Sequence, residues 1–376
     1  MRTMRVAAIA RKEFIHVIRD PRSLAMGIAI PMLLIVLFGY ALTLDVDNVP
    51  MVVWDQDSTH SSRELVSRFQ GSRYFSIRDY IDDYAELERY IDSGKAGIVL
   101  VIPPGFSIGI ESGRQTSVQL IVDGSDSNTA TIVIGYADAV LFDYGGDVAA
   151  AFSEFGGRKI APPVDFRPRA WYNPDLESRN YIIPGLIAVI MMVIAALMTS
   201  LTIAREWERG SMERLISTPV RTEELILGKL IPYFSIGMLD VALAVLMGEF
   251  LFQVPLRGTA AFVFLMAAIF LAGALGLGML ISIVTKSQLL ASQLAMVLTF
   301  LPSFLLSGFM YAISNMPVAV QIITHLVPAR YFVSLLKGIY LKGIGLEILW
   351  LQAALLLLFG IGILALGKLK LKKKLG

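Results

Sequence analysis

The densest group of chemically capable side chains lies at Ala204–Leu230, AREWERGSMERLISTPVRTEELILGKL. Arg205, Glu206, Glu208, Arg209, Glu213 and Arg214 carry both signs of charge, and Trp207, Met212, Leu215 and Ile216 stand among them. A solvated loop lacks such a mixture. A short helix that docks into a partner has it, because apolar groups bury and charged groups fix orientation. The plain alternative is a helix resting on lipid headgroups. Gly210 permits a bend, Thr218-Pro219 punctuates the end, and Thr222-Glu223-Glu224 has the form of a helix start. Other familiar chemistry is missing. There is no cysteine, so no thiol nucleophile or disulfide. His16, His60 and His325 are too far apart in sequence to give a metal-ligand spacing. Gly94-Lys95, Gly228-Lys229 and Gly367-Lys368 are not followed by Ser or Thr in a phosphate-loop pattern, and no HExxH or GxSxG occurs.

The elements that must position these residues follow from composition. The chain has 376 residues, 55% hydrophobic and only 17% charged, with mean hydropathy +0.65. Soluble domains are about 25% charged. The solvent is therefore a bilayer, and a disordered chain, a nucleic-acid-binding module and a secreted disulfide scaffold are excluded. Spanning about 30 Å takes roughly 20 apolar residues as a helix. Six stretches qualify: Leu24–Leu44, Asn180–Ala204, Leu230–Phe252, Gly258–Thr285, Ser287–Tyr311 and Ile348–Gly367. The expected fold is an α-helical polytopic membrane protein with six transmembrane helices and an α/β extracytoplasmic domain between helices 1 and 2.

The net charge of +2 hides a split. Asp45–Glu177 holds 21 acidic and 11 basic residues, and the remainder holds 10 acidic and 22 basic. With the N-terminus inside, 17 Lys and Arg flank the spans on the inner face and five on the outer. By the positive-inside rule both termini are cytoplasmic and the acidic segment is outside. The first span is too long for a signal-peptide core and is expected to be a retained anchor.

In order, the expected organisation is a cytoplasmic amphipathic helix (1–22), a first span (23–44), the outer domain (45–178), a second span (179–204) and the charged loop (205–228). Three spans follow (229–252, 258–285, 287–311), then re-entrant outer helices (312–346), a last span (347–367) and a basic tail (368–376). Helix 1–22 has apolar spacing at Val6, Ile9, Ala10, Phe14, Val17 and Ile18 and suits the inner membrane surface; it is equally read as a basic anchor that only sets topology. In the outer domain, strands are expected at Val49–Asp55, Tyr74–Arg78, Ala96–Ile102, Val118–Asp123 and Phe166–Tyr172. Helices are expected at Ser61–Gln70, Asp82–Ser93 and Asp126–Phe155. Leu306–Leu346 is apolar but broken by Gly308, Pro317, Pro328, Gly338 and Gly343. Two short helices dipping into the outer leaflet fit it better than a spanning pair.

Asp240 stands near the middle of the third span. A charge there is costly, so it faces protein, water or a partner, or is protonated. It is either a substrate or proton site or a buried polar contact between helices. No second acid or base in a span offers a relay.

The stretch AREWERGSMERLISTPV with ELILGKLIPY, the basic RKEFIHVIRDPRSL, and LLSGFMYAISNMPVAVQIITHLVPARYFVSLLKGIYLKG before the last span resemble the ABC-2 type transporter permeases, in the bacterial inner-membrane branch associated with drug export. The resemblance covers nearly the whole chain outside the outer domain. It implies a permease that is not itself an enzyme and binds no cofactor or metal, ATP and Mg being used by a partner. The implied partners are two cytoplasmic ABC ATPase subunits, a second permease (identical or a sister chain), a candidate periplasmic adaptor and membrane lipid; nucleic acid is not implied. The segment Arg205–Ser217 would be a coupling helix, with Arg205, Glu206, Glu208, Arg209, Gly210, Met212, Glu213, Arg214, Leu215 and Pro219 meeting the ATPase, and the second and fifth spans would line the pathway. The missing phosphate loop agrees with an ATPase supplied in trans. Three other classes are weighed against it: an ion-coupled carrier using Asp240, which would need inverted repeats not visible here, a tethered sensor or scaffold, which would need a cytoplasmic output domain, and an intramembrane enzyme, for which recognisable catalytic residues are lacking.

Overall fold

The structure is a computed structural model and describes residues 3–42, 47–125, 127–155, 172–173 and 177–371. It divides into two compact units, one of Met1–Thr43 with Ala170–Gly376 and one of Leu44–Arg169.

The chain opens with α1 (Thr3–Arg19), whose inward residues recur at four-residue intervals through Ile9, Glu13 and Val17. Phe14 and Ile18, expected on its apolar face, are exposed. Pro21 follows at once and begins α2 (Pro21–Leu24), where a missing amide costs nothing. It continues as α3 (Ala25–Ala41), whose first five residues, Ala25–Ala29, are π-helical.

The second unit carries β1 (Val49–Asp55), α4 (His60–Gly71), β2 (Phe75–Tyr80), α5 (Tyr84–Asp92), β3 (Ile98–Ile102), α6 (Phe106–Glu111), β4 (Gln119–Val122) and α7 (Ser127–Phe155). The sheet order is β2-β1-β3-β4; β1 runs parallel to both neighbours and β4 antiparallel to β3. Alternation along the central strands explains their unbroken apolar runs. Met51, Val53, Ile98, Leu100 and Ile102 pack with Leu65 and Phe69 of α4 and Val133 and Ala137 of α7. Val52, Val99 and Val101 point the other way, onto Leu87 of α5. A strand covered on both faces has no polar side to show. α6 was not foreseen; Asp57 accepts the Gly105 and Ser107 amides at 2.8 and 3.0 Å and so seats its first turn. The strand expected at Phe166–Tyr172 lies almost wholly outside the described residues.

The first unit resumes with α8 (Ser178–Glu208), α9 (Ser211–Ser217), α10 (Thr222–Leu251), α11 (Ala260–Thr285), α12 (Gln288–Leu306), α13 (Val318–Thr324), α14 (Pro328–Lys342) and α15 (Leu346–Lys370). Among the described residues five helices, α8, α10, α11, α12 and α15, are long and apolar enough to cross a membrane. α13 and α14 bend by 87° at a short break and make a sixth only if read as one span. α3, the first expected span, is 17 residues by itself and reaches a crossing length only with the turn of α2 before it. The protein is thus a mostly helical, polytopic membrane protein with five to six candidate spans.

The most apolar stretch of α8 is 94% buried, against 22% for α12 and α15, so α8 is the centre of the bundle and the others are its rim. Gly278 of α11 sets the closest approach: a Cβ there would lie 2.1 Å from the Ala196 carbonyl. The Thr199 hydroxyl crosses the same seam to the Leu275 carbonyl at 2.8 Å.

Candidate functional site

The charged loop assembles at the end of the bundle where α8 stops. Gly210 has φ +67°, a conformation that favours glycine, and it turns the chain from α8 into the seven-residue α9. Met212 is buried in the main core and Leu215 packs against it, so α9 is held by one face. The opposite face presents Glu213 and Arg214, both exposed. Among the described residues neither makes an ion pair.

The last turns of α8 are tied inward. Lys229 on α10 is only 2% exposed; its ammonium lies 2.5 Å from Glu13 of α1 and 3.1 Å from Glu206 of α8. Glu206 also meets Lys12 at 3.4 Å and accepts from the Ser211 hydroxyl at the start of α9. One buried cation therefore joins α1, α8 and α10, and the acid it holds contacts α9. Gly228 lets α1 come close: a Cβ there would fall 2.7 Å from Ile9 Cβ. At the edge Arg5 of α1 donates to the Pro219 carbonyl and lies 3.8 Å from Glu224.

Arg205 donates to His16 Nε2 at 2.7 Å and to Gln288 Oε1 at 3.4 Å. A guanidinium has only donors, so the imidazole nitrogen accepts. Glu208 accepts the Gln288 backbone amide at 2.7 Å and its side-chain amide as well, which fixes the first turn of α12 to the end of α8. Lys286 sits 4.6 Å over the Trp207 ring. Among the described residues no cluster of acids and histidines could hold a metal ion.

Of the residues singled out from sequence, Arg205, Glu206 and Met212 face their own chain, Glu208 is exposed but bonded to Gln288, Arg209, Gly210, Glu213, Arg214 and Pro219 are exposed, and Leu215 lies between. Glu13, His16, Lys229 and Gln288 belong to the same assembly and were missed. A signal existed for Glu13, the single acid among the residues of α1. Asp240 is far from this end, 1% exposed, and its Oδ1 has no hydrogen-bond partner among the described residues.

The order of these parts matches a known family. Residues 21–368 match the model of the ABC-2 family transporter proteins. The chain belongs to the ABC-2 transporter family. This ABC-2 chain is 37% identical to YbhS of Escherichia coli K12 over 372 residues, covering 99% of this chain and 97% of that one. YbhS carries the description "Probable multidrug ABC transporter permease". The chain is 30% identical to YbhR of the same organism, described in the same words, over 92% of each chain. It is 26% identical over 333 residues to the "Inner membrane transport permease YhhJ" of E. coli K12. As an ABC-2 family member it is a membrane permease of an ATP-binding-cassette transporter.

Proposed function

We propose that this permease exports hydrophobic or amphipathic compounds, drugs among them, from the cytoplasm or inner leaflet of a bacterial inner membrane. The energy comes from two separate cytoplasmic ATPase subunits that use ATP and Mg, and a second permease, identical or sister, completes the pathway. Both termini and α9 face the cytoplasm; the sheet-containing unit is an α/β domain on the outside, where an adaptor protein is a further candidate partner. α3 is the first span, which brings the count to six.

One observation carries the coupling role: α9 is a short helix fixed by Met212 and presenting Glu213 and Arg214, which have no ionic partners among the described residues. Charged residues left unpaired on an ordered helix are suited to charge-assisted contacts with another protein. The docking surface is narrower than the sequence suggests. Glu213, Arg214, part of Leu215 and Pro219 meet the ATPase, while Arg205, Glu206, Glu208 and Met212 transmit its movement to α8, α10 and α12.

The test is affinity purification from the native membrane. An ATPase subunit should co-purify, and Glu213→Ala with Arg214→Ala should lower stimulated ATP hydrolysis while the permease stays in the membrane. Normal coupling in that double variant would remove α9 from the interface. Orientation has its own test, because the chain lacks cysteine: Ser125→Cys, at an exposed position, should react with an impermeant maleimide in spheroplasts. Reaction only after permeabilisation would reverse the topology.

A further inference from the structure

A cavity of about 540 Å³ opens beside the end of α8, lined by His16, Asp20, Met26, Met198, Leu201, Arg205, Arg209, Tyr233 and Gln288, with Pro21 at its edge. Its chemistry is graded. Arg209, Arg205, Leu201 and Met198 are spaced by four, four and three residues, so they share one face of α8. Along that face, about 16 Å at 1.5 Å per residue, two guanidiniums give way to apolar side chains running toward the middle of the bundle. Met26 of α3 adds to the apolar part.

The basic part has donors to spare. Among the described residues Arg209 has no ion pair. Arg205 uses Nε and one terminal nitrogen on Gln288 and His16, and its other terminal nitrogen has no hydrogen-bond partner among the described residues. Asp20 is the single carboxylate in the lining. The neighbouring cavity shares Arg205 and Arg209 and adds Lys12 and Lys229, but there Glu13 and Glu206 pair with the two lysines and not with the guanidiniums.

We propose that this cavity binds an anionic amphiphile, its carboxylate, sulfate or phosphate head on Arg205 and Arg209 and its apolar body along Leu201, Met198 and Met26. Planar guanidiniums four residues apart suit a multi-oxygen anion. Methionines suit an apolar body of variable shape. As a statement about cargo this rests on the exporter reading above. The same chemistry is offered by an anionic phospholipid of the bilayer, and the experiment separates the two sources.

The ATPase–permease complex is placed in nanodiscs of phosphatidylcholine, and binding of fluorescent dansyl-undecanoate is compared with its neutral analogue dansyl-undecanamide. The carboxylate should bind about tenfold more tightly, as expected for one charge-assisted contact. Arg209→Gln should remove most of that preference with little effect on folding, since Arg209 is exposed. Leu201→Trp, which fills the apolar floor, should weaken both probes. Equal affinity for the two probes, or an unchanged preference in both Arg209→Gln and Arg205→Gln, would overturn the site. Competition by added phosphatidylglycerol assigns it to bilayer lipid and overturns the cargo assignment. Lack of competition, with ATP-dependent accumulation of the carboxylate probe when the same complex is placed in sealed proteoliposomes, assigns it to cargo. ATPase association and stimulated hydrolysis in the same preparations test the exporter reading separately: their persistence without probe preference sinks the anion site alone, and their absence with the preference intact sinks the exporter reading alone.

Discussion

Lys229 of α10 and Glu13 of α1 form a 2.5 Å ion pair with both side chains under 10% exposed. They are 216 residues apart, so the pair ties the N-terminal helix to the body of the bundle. Breaking a buried pair from one side costs about 3–5 kcal/mol, because the remaining charge stays buried. Lys229→Met should therefore lower the melting temperature of the purified permease and loosen α1, so that trypsin cuts faster after the already exposed Arg11 and Lys12. Glu206 keeps Lys12 as a partner, so Glu13 bears most of the loss. Adding Glu13→Gln should restore part of the stability. Strictly additive losses in the double variant would show that the two residues do not act as a pair.

The seam between α8 and α11 should be equally intolerant, for a steric reason. At Gly278 a methyl group would meet the Ala196 carbonyl at 2.1 Å and the Thr199 hydroxyl at 2.3 Å. Backbone cannot move aside as a flexible side chain can. Gly278→Ala should destabilise by about 1–3 kcal/mol or more, read as a lower melting temperature and a smaller monodisperse fraction on gel filtration. The control is Gly362→Ala, where nothing lies within 4 Å. Equal behaviour of the two variants would contradict the close packing.

Local pattern and distant pairing divide what the sequence could disclose. The run at Ile98–Val101 is apolar at every position because both faces of β3 are covered, and such a run reads directly as a buried strand. The mixed-charge loop likewise exposed α9 and its Gly210 hinge. α6 escaped notice because it is six residues long and seated by Asp57, about fifty positions earlier. In the candidate site the loop residues were legible, but their direction was not. Glu206 turns inward because Lys229, itself paired with Glu13, meets it there, and no spacing rule links residues on three separate helices.

Asp57 gives the second unit an acid-sensitive joint. The burial cost is the largest single contribution and favours the protonated form, but hydrogen bonds from Thr59, Ser107 and Gly105 together outweigh it, and the carboxyl sits below the usual carboxylate range. A lowered value means the stabilisation is complete above the unfolded value of about 3.9 and is lost as pH falls through the folded value. Hydrogen exchange at the Gly105 and Ser107 amides in the full chain should be protected at about pH 5 and lose protection below about pH 3.9. Asp57→Ala should remove that protection at both, at a cost of about 1 kcal/mol, as for a lost helix cap. Protection that ignores both changes would mean that Asp57 does not hold the turn.

Asp240 is the sharpest point of contact between the exporter reading and an ion-coupled one. Its Oδ1 is buried and without a hydrogen-bond partner among the described residues, and a lone polar group in that position costs about 1–3 kcal/mol. If it does no work in transport, replacing it with an apolar residue of similar size should relieve that cost. Asp240→Leu is expected to keep or raise the melting temperature and to retain ATP-driven export. Asp240→Asn should behave likewise. An ion-coupled carrier predicts the reverse: both variants stop transport although the protein is stable, and removing the ATPase has no effect. Export lost in both variants, with ATP hydrolysis intact, would move Asp240 from a packing position into the pathway.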